Sequence, residues 1–167
     1  PMKATTELRH LLAQPGIIVA PSAHDAISAK LAEKAGFPAI YVGSYAAHAT
    51  QLGMPDVGLM TMPEMAEYCG RIARAVRVPV IADAENGFGD AVKVRRTVRE
   101  FERAGVAAIH IEDQEWGKHL NVQAKLLDTE TMCGKITAAV EAREDPDFVI
   151  IARTDAAWAL GSLDEAI

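Results

Sequence analysis

Five short β-branched runs, each followed by a longer segment of helical period, leave few folds open to this chain. Strands joined by helical crossovers lie parallel, because a tight turn can link only antiparallel neighbours. Strands are expected near residues 16–21, 39–43, 78–84, 107–112 and 148–153, and helices near 25–35, 63–76, 91–104 and 129–143. Helix punctuation supports these boundaries. Pro63 followed by Glu64 suits a first turn, where the missing N–H would be unpaired anyway and the acid faces the positive end of the helix dipole. Gly36 and Gly105 suit helix ends. The segments EKAGF at 33–37 and ERAGV at 102–106 repeat one helix-to-strand turn.

A doubly wound sheet and a barrel both fit this alternation, and the polar residues discriminate between them. Each expected strand runs into reactive side chains: Ser22, His24 and Asp25; Ser44; Asp83 and Glu85; Glu112 and Asp113; Arg153 and Asp155. A (β/α)₈ barrel gathers such strand ends around one pocket. Five strands cannot close one, and an open sheet edge invites aggregation. The expectation is therefore an α/β chain, one domain over residues 1–167, forming about the first five βα units of a TIM-type (β/α)₈ barrel of ~250 residues or more.

Half of the 167 residues are apolar, enough for a sizeable core. Seventeen basic against 23 acidic residues give a net charge of -6, and the basic ones are scattered. That distribution argues against nucleic-acid or membrane partners and for a small-molecule substrate. No basic-then-apolar N-terminal signal is present and no apolar run approaches the ~20 residues of a membrane span, so a cytoplasmic location is expected. Cys69 and Cys133 lack metal-site spacing and read as packing residues, as do Met54, Met60, Met62 and Met65.

The stretch IADAENGFGD at 81–90 carries the chemistry. Buried carboxylates need a cation, a proton or water to receive them. Side chains alternate along a strand, so Asp83 and Glu85 share one face, as do His110 and Glu112. Two strands thus aim acids at one pocket, with Gly87 and Gly89 allowing a tight turn behind them. Asp90 and Asp113 read as loop acids or helix caps. Oxygen donors without a nearby cysteine or histidine pair point to a hard ion, Mg²⁺ or its substitute Mn²⁺, with Asp83, Glu85 and Glu112 as its ligands. Arg153, among apolar neighbours in IIARTDA, needs an anionic partner: a substrate carboxylate held bidentately, or a nearby acid such as Glu112.

Five stretches together resemble the isocitrate lyase and phosphoenolpyruvate mutase superfamily: AIYVGS at 39–44, LGMPD at 52–56, PVIADAENGFG at 79–89, ERAGVAAIHIEDQ at 102–114 and DPDFVIIARTDA at 145–156. The resemblance implies a (β/α)₈ barrel, commonly tetrameric, acting on small 2-oxo and 2-hydroxy carboxylates. It also implies acids like Asp83, Glu85 and Glu112 around Mg²⁺, one directly and others through water, and an arginine like Arg153 on the substrate carboxylate. Gly43, Ser44 and Asp56 are assigned with Arg153 to substrate binding.

Lyases of that family carry a loop reading lysine, lysine or arginine, cysteine, glycine, histidine. Here the same place reads KHLNV at 118–122. Lys118 is retained, but Leu120 and Val122 stand where the cysteine and histidine would, and neither exchanges a proton. The Gly43–Ser44 pair looks more like the oxaloacetate decarboxylase branch. The expected activity is Mg²⁺-dependent decarboxylation of an oxaloacetate-like 2-oxo acid through an enolate, with Arg153, Lys118, His119 and Tyr41 as catalytic candidates and His119 or Tyr41 as proton donor. The alternatives are cleavage of a methylisocitrate- or dimethylmalate-like 2-hydroxy acid, phosphonopyruvate chemistry, or a non-catalytic metal and acid binder.

Overall fold

The computed structural model describes residues 2–115 and 125–167. Its centre is a parallel sheet in the order β1 (Ile40–Val42), β2 (Val80–Asp83), β3 (Ala108–Glu112), β4 (Val149–Arg153). Strand β3 is internal, and all five of its residues are buried, as a strand covered on both faces requires. Helices α2 (Ala26–Lys34), α4 (Met62–Ala73), α5 (Ala91–Ala104) and α6 (Thr129–Ala142) follow the strand segments in alternation. The chain is α/β with consecutive parallel βα units, as expected of a (β/α)₈ barrel.

The expected helices form where their punctuation places them. Asp25 and Ser28 make a capping box on α2, and Thr61 and Glu64 make one on α4. Asp90 caps α5 by accepting the Lys93 amide, which bears out the cap reading of Asp90. On α5, Val94, Val98 and Phe101 recur at helical spacing and are wholly buried between the sheet, α4 and α6. Removing Phe101 would cost about 3–5 kcal/mol, the usual range for a buried aromatic truncated to alanine. The repeated turn is real: Gly36 and Gly105 have φ of 92° and 91°.

Several elements differ from expectation. The first expected strand, residues 16–21, is not one. Among the described residues its pairing is reduced to a parallel bridge between Ser22 and Tyr41, flanked by bonds from Tyr41 to Pro21 and from Ala23 to Tyr41. Ile17 is 92% exposed, and Pro21 has no N–H to donate, so the run meets a partner only at its end. Four strands rather than five therefore make the described sheet. The sequence reading also missed α1 (Ala4–Leu12), which packs Leu8 onto Ala107, Ala108 and Val149. It missed α3 (Ser44–Ala47) as well, and the π turn His48–Leu52 that follows it. The chain closes with α7 (Ala156–Ala159) and a 3₁₀ turn at Asp164–Ala166.

Met60, Met62, Met65 and Cys69 pack in the core, whereas Met54 is exposed. Cys133 lies on the exposed side of α6, a correction to its reading as a packing residue. No helix among the described residues is long and apolar enough to cross a membrane.

Candidate active site

Strand register sets the frame of the site. Asp83 is the Cα partner of His110, and Glu112 the partner of Arg153, so the C-terminal ends of β2, β3 and β4 present a carboxylate, an imidazole, a second carboxylate and a guanidinium side by side. Tyr41 of β1 stacks on His110 at 5.4 Å between ring centroids, with its hydroxyl 2.6 Å from His110 Nε2 and 3.3 Å from Asp83 Oδ2. Burial, and next the charge of Asp83, push the Tyr41 phenol well above its ordinary pKa. It is a neutral hydroxyl throughout the physiological range.

Asp83 is 3% exposed and is oriented by neutral donors. The Ser44 amide and hydroxyl reach Oδ2 at 3.1 and 3.0 Å, and the Glu85 amide donates to Oδ1 at 2.8 Å. The Ser44 hydroxyl also lies 2.9 Å from Asp56 Oδ2, so one side chain ties two carboxylates together. Asp56 belongs with the acids rather than with substrate-binding groups alone.

Glu85 reaches the site by a different route from the one expected. Strand β2 ends at Asp83, so pleat alternation does not govern Glu85. Instead Glu85 has φ of 52°, left-handed for a residue with a side chain, and its carbonyl accepts the Glu112 amide at 2.9 Å. Gly87 behind it has φ of 84°, and a Cβ there would lie 2.6 Å from Val94 Cγ2. Only glycine fits that turn.

His48, wholly buried in the π turn, is a residue the sequence reading did not single out. One nitrogen or carboxylate oxygen from each of His48, Asp56 and Glu85 falls within 4.8 Å of the others, which suggests a metal trio. The hydrogen bonds argue against His48 as a ligand. Its Nε2 accepts the amides of Leu59 and Met60 at 3.0 and 3.1 Å, so the ring proton sits on Nδ1, which faces the Ser44 carbonyl at 2.9 Å and Asp56 Oδ1 at 3.2 Å. Both nitrogens are engaged, and His48 serves to orient Asp56. Of that trio Asp56 and Glu85 remain; Asp83 and Glu112, expected as ligands, are not members of it but stand at the ends of neighbouring strands, and all four acids are at most 4% exposed. Such a set fits a hard divalent cation.

Of the two readings for Arg153, the described contacts show the pairing with nearby acids. Nε and Nη2 fork onto Asp155 at 2.9–3.1 Å, and Nη1 lies 3.4 Å from Glu112 Oε2. Burial works against its charge, but the hydrogen bonds to Asp155 and the charges of Glu112, Asp155 and Asp83 outweigh it and raise the pKa further. Asp155 is held in turn by Gln114, at 2.5 Å, and by its own amide on Asp113 at 2.9 Å. Asp113, expected as a loop acid or cap, is a buried acceptor that also takes the Thr154 hydroxyl.

Two cavities flank the turn at 84–90. One, of about 460 Å³, is lined by Asn86, Asp90, Glu115, Thr131 and Lys135 among others. The other, of about 340 Å³, is lined by Tyr41, Gly43, Ser44, Asp56, Asp83 and Arg153 with Ser22 and the start of α3. The smaller is the candidate site because the carboxylates and the arginine face it. It brings together Tyr41, Gly43, Ser44, Asp56, Asp83 and Arg153 of the expected set, with Glu85 and Glu112 joined through Asp83 and Arg153. Lys118, His119, Leu120 and Val122 lie outside the described residues.

Comparison with known proteins agrees with this geometry. Residues 8–167 match the family model described as phosphoenolpyruvate phosphomutase. The chain is 49% identical over 168 residues to the 2,3-dimethylmalate lyase of Eubacterium barkeri, covering 99% of this chain and 58% of that protein. It is 43% identical over 164 residues to the oxaloacetate decarboxylase of Rhodopseudomonas palustris strain TIE-1, covering 96% and 56%. A crystal structure of phosphonopyruvate hydrolase in complex with oxalate and Mg²⁺ superposes with a TM-score of 0.91 at 38% identity, over 99% of this chain and 57% of that one. The chain thus spans little more than half the length of these relatives. Family model, relatives and fold agree, and the chain belongs to the phosphoenolpyruvate mutase and isocitrate lyase superfamily.

Proposed function

We propose that this chain is the N-terminal part of a (β/α)₈ barrel enzyme, a Mg²⁺-dependent carbon–carbon lyase that acts on a small 2-oxo or 2-hydroxy carboxylate through an enolate. One observation carries the reading: Asp83, Glu112 and Arg153 stand side by side on neighbouring strands, and Asp56, Asp83 and Arg153 line one cavity of about 340 Å³. The relatives named as a lyase and a decarboxylase support the reaction class, and the relative that holds oxalate with Mg²⁺ supports the ligand. Oxalate is planar and doubly anionic, like the enolate of pyruvate.

Asp83, Glu85, Glu112 and Asp56 would hold the ion, which supplies Lewis-acid polarisation worth several kcal/mol to a carbonyl that must accept enolate charge. The chain's own residues do the rest. Arg153 binds a substrate carboxylate with whichever guanidinium edge Asp155 does not occupy, in the bidentate manner its planar fork allows. Gly43 and Ser44 line the floor, and Ser44 keeps Asp83 and Asp56 in register. Tyr41, a neutral phenol shared with His110 Nε2, is placed to move a proton at the cavity wall. Lys118 and His119, outside the described residues, complete the proposed set.

Among substrates, decarboxylation of an oxaloacetate-like acid is the leading reading, because Leu120 and Val122 replace the two proton-transfer groups that 2-hydroxy-acid cleavage uses in the family. The 49% identity to a 2,3-dimethylmalate lyase favours a second reading, cleavage of a substituted malate with the Tyr41 and His110 pair taking the hydroxyl proton. Pyruvate release by the whole protein decides, measured on oxaloacetate, 2,3-dimethylmalate and methylisocitrate with Mg²⁺ and with chelator. Fastest turnover of oxaloacetate, abolished by chelator, is the expected result. Faster release from dimethylmalate selects the second reading, and turnover indifferent to chelator removes the metal from both.

A further inference from the structure

The turn that follows Asp83 is held at three successive carbonyls by three different elements. The Glu85 carbonyl accepts the Glu112 amide of β3 at 2.9 Å, the Asn86 carbonyl accepts the Lys135 ammonium of α6, and the Gly87 carbonyl accepts the Thr97 hydroxyl of α5 at 3.0 Å. Two residues with side chains in this turn, Glu85 and Phe88, have positive φ, 52° and 61°. Each such residue costs of order 1–3 kcal/mol and persists only where its surroundings over-determine it. Lys135 and Thr97 are 4% and 1% exposed, and neither lines the cavity that Asp83 and Arg153 face. A buried lysine is expensive, and a single carbonyl does not neutralise it. Burial lowers its pKa, and the charges of Asp90 and Glu112 offset part of that.

We propose that Lys135 and Thr97 are positioning residues that hold the turn in the shape that aims the Glu85 carboxylate at the acid cluster. Neither touches substrate. Their action is on the backbone of residues 85–87, and through it on a ligand direction that a strand end alone does not supply. The inference rests on the metal reading of Glu85, and its test separates the two.

Mn²⁺ affinity of the whole protein is measured by titration for the unaltered enzyme and for Glu85→Gln, Lys135→Met, Thr97→Val and Thr97→Ser. Amide exchange is followed in parallel in the metal-free protein. Removing groups that orient metal ligands typically weakens binding about 10–100-fold, and Lys135→Met is expected to fall in that range. Thr97→Val keeps the side-chain shape and is expected to weaken binding less, while Thr97→Ser keeps the hydroxyl and restores it. Exchange at the Glu85, Gly87 and Phe88 amides should quicken in Lys135→Met and Thr97→Val, with Ile109 in β3 unchanged. If Lys135→Met does not fold, the valine and serine pair at position 97 carries the test. Unaltered Mn²⁺ affinity in both Lys135→Met and Thr97→Val, alongside weakening in Glu85→Gln, overturns the positioning role and leaves the metal reading standing. Unaltered affinity in Glu85→Gln overturns the metal reading, and slow exchange of the three turn amides in the Lys135 and Thr97 variants then overturns the hold on the turn as well.

Discussion

Two polar clusters, one buried and one half-buried, stand side by side at the strand ends, and they are stabilised in opposite ways. Around Asp83 the hydrogen-bond donors given by the described residues are neutral, the Ser44 hydroxyl and amide, the Tyr41 hydroxyl and the Glu85 amide, with His110 Nε2 3.7 Å away. Around Asp155 the chief donor is charged, the Arg153 guanidinium, with Gln114 beside it. Neutral donors orient a carboxylate but leave its charge in place, whereas a guanidinium cancels it. The second cluster is nearly complete as a structural network. The first is the one proposed to hold a cation, and Glu112, 3.4 Å from Arg153, stands between them.

The largest effect expected from breaking this asymmetry is at Asp83. Asp83→Ala should abolish Mg²⁺-dependent turnover, a loss of order 10³-fold or more for a group on which a Lewis-acid step depends, with the circular dichroism spectrum unchanged. Retained Mg²⁺ dependence would refute the assignment. Next comes Arg153→Lys, which keeps the charge and loses the fork. A fall in kcat/KM of roughly 10²-fold is expected if one bidentate, charge-assisted contact of about 1.5–3 kcal/mol is lost. A value near that of the unaltered enzyme would return Arg153 to a purely structural pairing with Asp155 and Glu112.

Asp155→Asn tests the other side of the comparison. It removes the compensating charge and keeps only one acceptor oxygen, so the Arg153 pair on Oδ1 can persist while the Arg153 and Gln114 bonds on Oδ2 are lost. Because the Arg153 side chain is 39% exposed, the loss of stability should be only about 1 kcal/mol, read from denaturant midpoints, with KM changed more than kcat. A loss several times larger would mean that Arg153 is mainly a structural cation. The smallest effect should come from thiol alkylation. Cys133 is exposed and should label, whereas burial pushes the Cys69 thiol far above its ordinary pKa and keeps it inert. Since neither cluster contains a thiol, turnover should be unaffected, and inactivation of the folded protein by alkylation would overturn the decarboxylase reading.

Much of this was legible in residue order. The period of α5, its Asp90 cap and its Gly105 stop are local properties, and they place the helix at the bounds observed. The acids and the arginine were legible as candidates because an apolar run that ends in charge is costly without a purpose. Other features were not. His48 lies on a π turn without periodic signal, and Asp56 was legible only through the family resemblance; how the two act together depends on Ser44 and on the amides of Leu59 and Met60. Lys135 looked like any helical lysine until α6 packed it against the turn at Asn86.

By itself, then, the sequence determined the order of parallel βα units, the helix ends and which strand ends carry charge, because those follow from side-chain period, capping and local conformational preference. Tertiary structure alone decided that residues 16–21 pair only at their end and that Glu85 turns inward through a left-handed backbone. It also decided that Arg153 shares its fork between Asp155 and Glu112. Each of these depends on which groups from distant parts of the chain arrive to accept or donate a bond, and no local pattern encodes that.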